Sequence, residues 1–133
     1  MEFKDTAYTD LALDVHTDTN YFTDSAALQM FHLLQHTGTG GQSQLVDGFQ
    51  VAKRLYHRDR EAYDILARTK MFYHASGNKD LSIQPHTAFP VLVHDEITKM
   101  LTQIRWNPYD KAAFAVDLEE QPEELEEWYE AAT

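Results

Sequence analysis

Helical periodicity in this 133-residue chain is confined to residues 47–68 and 121–132, and everything else reads as short apolar stretches divided by turn residues. Residues 11–16 form a short extended segment. Leu28–His36 is the strongest strand candidate: Leu28, Met30, His32, Leu34 and His36 share one face, and Gln29, Phe31, Leu33 and Gln35 the other. Thr37-Gly38-Thr39-Gly40-Gly41 reads as a turn and Gln44-Leu45-Val46 as the strand after it. Asp47 is a helix N-cap ahead of Phe49, Ala52, Leu55 and Tyr56 at helical spacing. A second helix covers Arg60–Arg68, with Ala62, Ile65 and Leu66 inward. Met71–His74 is extended, Ala75–Pro85 is a polar loop, and Phe89–Val93 and Met100–Trp106 are two strands joined across His94-Asp95-Glu96. Short strands with one helical insertion predict a mostly β fold with α insertions, a sandwich or jelly roll.

Charge excludes several classes of partner. With 22 acidic and 11 basic residues the net charge is −11, which argues against nucleic acid and against an anionic membrane surface. Between Asp117 and Glu130 the chain carries eight acidic residues and no basic one. That stretch reads as a solvated acidic helix with Pro122 at its first position, Glu123 and Glu124 at its positive dipole end, and its last turn near Ala131. The chain has no cysteine, so disulfides and thiolate metal sites are excluded. No apolar run approaches the roughly 18 residues of a membrane span.

His16-Thr17-Asp18-Thr19-Asn20 carries the chemistry. A His and an Asp two residues apart in extended backbone point to the same side, as two corners of a metal site. Two His and one carboxylate with open positions are the donor set of non-haem Fe(II) oxygenases. The same pair is also compatible with a plain polar turn. The other histidines are His32, His36, His57, His74, His86 and His94, and none stands at zinc-protease spacing from a neighbour. His32 and His36 would lie roughly 13 Å apart along a strand, too far for one ion. Gly40-Gly41-Gln42-Ser43 lacks the Gly-Lys-Ser/Thr of a phosphate loop, so a turn is its plain reading. Tyr8, Tyr21, Phe22 and Trp106 are either core aromatics or the walls of a pocket for an organic cation.

Taken in order, Ala7-Tyr8-Thr9, His16-Thr17-Asp18-Thr19, Thr39-Gly40-Gly41-Gln42-Ser43 and Leu45-Val46-Asp47-Gly48-Phe49 resemble the TauD/TfdA-like Fe(II)/2-oxoglutarate dioxygenases. Ile104-Arg105-Trp106-Asn107-Pro108-Tyr109-Asp110, His74-Ala75-Ser76-Gly77-Asn78 and Phe89-Pro90-Val91-Leu92 are similar to the trimethyllysine dioxygenase branch, with γ-butyrobetaine dioxygenase as its sister. The resemblance covers about residues 5–116. It implies a double-stranded β-helix, here partial, and hydroxylation of trimethyllysine in carnitine biosynthesis. The alternatives are γ-butyrobetaine as substrate, or an incomplete chain that acts only by association. Fe(II), 2-oxoglutarate as co-substrate and ascorbate as reductant are the implied cofactors. The implied partner is a small molecule with a trimethylammonium group, and the complete protein is expected to be a homodimer in mitochondria or cytoplasm.

Carried over by position, His16 and Asp18 match two iron ligands, Ser43 the hydroxyl that helps hold 2-oxoglutarate, Tyr8 an aromatic around the trimethylammonium group, and Asn107 a substrate contact. The family's distal Asn-Trp-Arg-x-x-His-Gly-Arg segment, with the second His and the Arg for 2-oxoglutarate, has no counterpart among these residues. Residues 1–133 are therefore expected to be an internal, incomplete piece of a dioxygenase domain. It would have a core at about 5–116, an acidic helix at about 121–132, and His86 or His94 as the reserve third ligand.

Overall fold

In a computed structural model of the chain, residues 12–76, 82–112 and 122–133 are described. Two helices open the ordered part and each is set by its own caps. Helix α1 (Gly48–Arg58) starts where the Asp47 carboxylate accepts the Gln50 N–H at 3.0 Å. Asp59 serves both helices: its N–H closes α1 on Leu55 O at 2.7 Å, and its carboxylate accepts the Ala62 N–H at 2.9 Å to start α2 (Arg60–Arg68). The inward face of α2 carries Tyr63, Ile65 and Leu66. In α1 only Ala52 is buried, while Phe49 and Tyr56 stay exposed. Tyr56 instead stacks under the Arg60 guanidinium, 4.2 Å from the ring centroid.

The strands are short. β1 (Lys70–Met71) pairs antiparallel with β4 (Phe89–Pro90), and β2 (Ala75–Ser76) with β3 (Ser82–Ile83). β5 (Leu92–His94) and β6 (Leu101–Ile104) form a hairpin with a bulge between Val93 and His94. Its turn is built by the Asp95 carboxylate, which accepts Thr98 N–H at 2.6 Å, Thr98 Oγ1–H at 2.8 Å and Ile97 N–H at 3.1 Å. Those bonds hold the carboxyl of Asp95 below its ordinary pKa, the Thr98 backbone contributing most. Gly48 lets α1 lie close against this hairpin, since a Cβ there would stand 3.0 Å from Ile104 Cδ1.

Helix α3 (Pro122–Ala132) is amphipathic rather than wholly solvated. Its acidic side faces water, while Trp128 is only 3 % exposed and joins Tyr63, Ile65, Leu66, Met71, Tyr73, Val91 and Leu92 in one core. An ion pair from Arg68 Nη2 to Glu127 Oε2 at 2.8 Å ties α3 to α2 across the surface.

Several expectations are corrected. Leu28–His36 forms no strand; it is irregular and solvent-facing, with Met30 93 % exposed. Gln44–Val46 likewise forms none, and Leu45 is 96 % exposed. Strand pairing is non-local, and no described residue pairs with these segments. Residues 12–16 are also outside any ladder, and the ends of the expected 75–85 loop pair as β2 and β3. The described residues therefore show antiparallel two-stranded ladders packed with helices, with helix outweighing strand. The expected turn at 37–41 is present, with Gly40 and Gly41 at positive φ. Tyr8, Gly77-Asn78 and residues 117–121 of the acidic stretch lie outside the described residues.

Trp128→Ala should cost about 3–5 kcal/mol in denaturant unfolding, since it empties a large buried site; a cost near zero would mean α3 is not part of the core. A second expectation concerns acid. Because the Asp95 carboxyl is depressed in the fold, its stabilisation is present above about pH 4 and is lost as pH falls through the folded value. Wild type should therefore out-melt Asp95→Asn at neutral pH, and the two melting temperatures should converge on acidification.

Candidate metal centre

The His16–Asn20 loop has no ladder of its own, so every constraint on it comes from elsewhere. Thr17 is clamped to the chain just after β6: its N–H donates to Trp106 O at 2.6 Å, and its Oγ1 accepts the Trp106 N–H at 2.9 Å. This two-sided contact fixes the backbone of the residue between His16 and Asp18. Asn20, 1 % exposed, folds back on it, with Nδ2 donating to Thr17 O at 3.0 Å and Oδ1 accepting Thr17 Oγ1–H at 3.1 Å. Thr19 turns the chain at φ +59°, and its carbonyl accepts the Phe22 N–H at 3.0 Å.

With Thr17 turned inward, His16 and Asp18 emerge on the other side. His16 Nε2 stands 3.3 Å from Asp18 Oδ1. The ring is oriented by Nδ1, which lies 2.6 Å from Asp14 O. A carbonyl only accepts, so Nδ1 carries a proton there and Nε2 is the nitrogen presented to Asp18. Tyr109 braces this arrangement: its Oη accepts the Asp14 N–H at 2.9 Å and donates to Asp14 Oδ2 at 3.2 Å, and its ring meets the His16 ring edge-on at 6.2 Å.

This geometry fits two corners of a metal site. If Nε2 is unprotonated, the pair is two facing lone pairs, which a cation between them would satisfy. Two donors at about 2.1 Å and a right angle from one ion lie about 3 Å apart, close to the observed separation. Holding a histidine's other nitrogen on a carbonyl is how metal ligands are usually oriented. Among the described residues no third His, Asp or Glu completes a three-ligand group. His94 is turned to other uses, with Nε2 at 2.8 Å from Tyr63 Oη and Nδ1 at 3.1 Å from Leu92 O, and His86 is exposed.

The other expected site residues fall at different distances from this pair. Asn107 is buried behind the loop. Its Nδ2 donates to Asp110 Oδ2 at 2.9 Å and to Thr17 O at 3.4 Å, and its Oδ1 accepts the N–H groups of Tyr109 and Asp110 at 2.9 and 3.2 Å. Ser43 is exposed in the irregular stretch before α1. Trp106 packs as a core aromatic, stacked on Trp128 with ring centroids 6.3 Å apart. Thr17, Tyr109 and Arg105 are the supporting residues that spacing alone misses. The only sequence signal for them is a charged and polar cluster, Arg105 to Asp110, running straight on from an apolar strand.

One histidine and one carboxylate brought together are two members of the 2-His-1-carboxylate donor set of non-haem Fe(II) oxygenases. The sequence profile described as "Taurine catabolism dioxygenase TauD, TfdA family" matches residues 2–133, and the chain belongs to that family. Among curated relatives it is 39 % identical to a trimethyllysine dioxygenase of Neurospora crassa, over 96 % of this chain and 34 % of that protein. It is 42 % identical to the mitochondrial trimethyllysine dioxygenase of Rattus norvegicus, over 81 % of this chain and 26 % of that protein. A γ-butyrobetaine dioxygenase of Pseudomonas is 32 % identical over 88 % of the chain and 30 % of that protein. The chain thus spans about a third or less of the length of the curated relatives it matches.

Thr17→Val keeps the shape of the side chain and removes its hydrogen bonds. It should leave the Trp106 N–H without an acceptor at a cost of about 1–3 kcal/mol. Hydrogen exchange at the Trp106 amide should then speed up; unchanged protection would show that the clamp is not made in solution.

Proposed function

We propose that the polypeptide containing this chain is an Fe(II)/2-oxoglutarate-dependent dioxygenase that hydroxylates trimethyllysine in carnitine biosynthesis. The observation that carries the reading is the convergence of His16 Nε2 and Asp18 Oδ1 to 3.3 Å in a chain of the TauD, TfdA family. Trimethyllysine is favoured over γ-butyrobetaine because the relatives named for it reach 39 and 42 % identity, against 32 % for the γ-butyrobetaine enzyme.

In this reading His16 and Asp18 would hold Fe(II), and the Thr17 clamp keeps their two donor atoms together. Bound Fe(II) and 2-oxoglutarate together supply the oxidising power for C–H hydroxylation, with ascorbate as the reductant that keeps the metal ferrous. Ser43 is proposed as the hydroxyl that would help hold 2-oxoglutarate. Tyr8 is proposed as an aromatic around the trimethylammonium group, for which cation–π attraction is about 0.5–2 kcal/mol. Asn107 acts chiefly by holding the Thr17 carbonyl and the Asp110 carboxylate in place, since its own carbonyl oxygen is already used twice. Residues 1–133 form part of a catalytic domain whose complete fold is a double-stranded β-helix, and the complete protein is a homodimer. The word mitochondrial in the rat relative's name supports that organelle.

The test is turnover of the complete polypeptide with Fe(II) and 2-oxoglutarate, measured as succinate and hydroxylated product. Trimethyllysine should be hydroxylated more efficiently than γ-butyrobetaine, and His16→Ala or Asp18→Ala should reduce turnover to background. Tyr8→Ala should weaken substrate binding by about 1–2 kcal/mol and affect the chemical step less. Equal inactivity toward both substrates would refute the reading.

A further inference from the structure

Arg105 is the one buried arginine among the described residues, 2 % exposed; its Nη atoms donate to main-chain carbonyls, and the Asp24 carboxylate acts on it only electrostatically. Nη1 donates to Asn20 O at 2.9 Å and to Phe22 O at 2.9 Å, and Nη2 donates to Thr23 O at 2.6 Å. Nε donates to Gln103 Oε1 at 3.1 Å. The plane lies over the Phe89 ring, with Cζ 3.9 Å from its centroid. Its backbone is held as firmly: its N–H donates to Val91 O at 2.8 Å, and its carbonyl accepts Tyr73 Oη–H at 2.8 Å.

Three bonds therefore grip the carbonyls of Asn20, Phe22 and Thr23, just after the His16–Asp18 pair. The Trp106 main chain, one residue on, grips Thr17 within the pair. The two grips are adjacent on one strand end, so they set the pitch of the loop between them. A planar fork holds its donors at fixed, separated positions that reach three carbonyls and Gln103 at once; an ammonium has three donors but all at one point, so it does not reproduce that spread.

We propose that Arg105 is a positioning residue for the metal pair, its guanidinium locking the 20–23 turn so that His16 Nε2 and Asp18 Oδ1 are presented to one divalent ion. This rests on the reading of His16 and Asp18 as metal ligands. Support of this kind is commonly worth 10–100-fold in metal affinity. A purely structural role would lower stability and leave the affinity of the folded protein alone.

The experiment is Co(II) binding to the complete polypeptide without 2-oxoglutarate, read from the visible ligand-field spectrum, alongside thermal melting. Arg105→Lys should bind Co(II) at least 10-fold more weakly, with an altered spectrum. Leu66→Ala empties part of the core on α2, and its apolar side chain bonds neither Arg105 nor the loop, so it should lower the melting temperature and leave affinity and spectrum as in wild type. If Arg105→Lys does not fold, Phe89→Leu, which bares the guanidinium face, should weaken Co(II) binding about 3- to 10-fold. Wild-type affinity in whichever of Arg105→Lys and Phe89→Leu is measured would overturn the proposal and leave the metal site standing. Failure of the wild-type protein to bind Co(II), or binding that His16→Ala leaves unchanged, would instead overturn the metal reading itself.

Discussion

Removing an arginine from water costs several kcal/mol unless its donors are met. Arg105 meets that cost with backbone carbonyls, and in doing so joins parts of the chain 82 to 85 positions apart in sequence. Burial pushes its pKa down from the arginine value, yet the group stays a cation at any ordinary pH. The charge is therefore a permanent fixture. Residues 12–26 belong to no ladder, so their place against the folded part depends on this cation and on the neighbouring Thr17–Trp106 clamp. Tyr73, whose phenol is itself pushed up by burial, secures the same residue from the core side.

Behind that contact stands a helical scaffold. Trp128 of α3 stacks on Trp106, and Lys111 Nζ lies 4.9 Å from the centroid of the Trp128 ring and 4.2 Å from that of Tyr129. The line of support runs from α2 through α3 and Trp106 to Thr17, and so to the loop that carries the two donors. The acidic helix is thereby part of the mechanism's foundation through its buried side, while its charged side remains in water.

What was legible in the sequence follows from the range of the interactions. The helices could be read because their signals are local: Asp47 caps α1, Pro122 opens α3, and the inward faces of α2 repeat at helical spacing. The meeting of His16 and Asp18 was legible for the same reason, since it needs only the two-residue period of extended backbone. The strand expected at Leu28–His36 was not realised, because a period-two pattern states a preference that only a partner edge can satisfy. The roles of Arg105, Tyr109 and Thr17 could not be read, since each depends on a contact more than 80 residues away along the chain. Asn107, singled out as a substrate contact, is buried, with three of its bonds inside residues 107–110 and one reaching Thr17 O, a tertiary contact that spacing could not show.

The most direct test of the central claim is a crystal structure of the complete polypeptide with Co(II) or Fe(II), with the metal located by anomalous scattering. The expected result is one peak about 2.0–2.2 Å from both His16 Nε2 and an Asp18 carboxylate oxygen, with Nδ1 still on Asp14 O and Thr17 still clamped to Trp106. A metal bound elsewhere, or a His16 ring turned away from Asp18 with the metal present, would contradict the account.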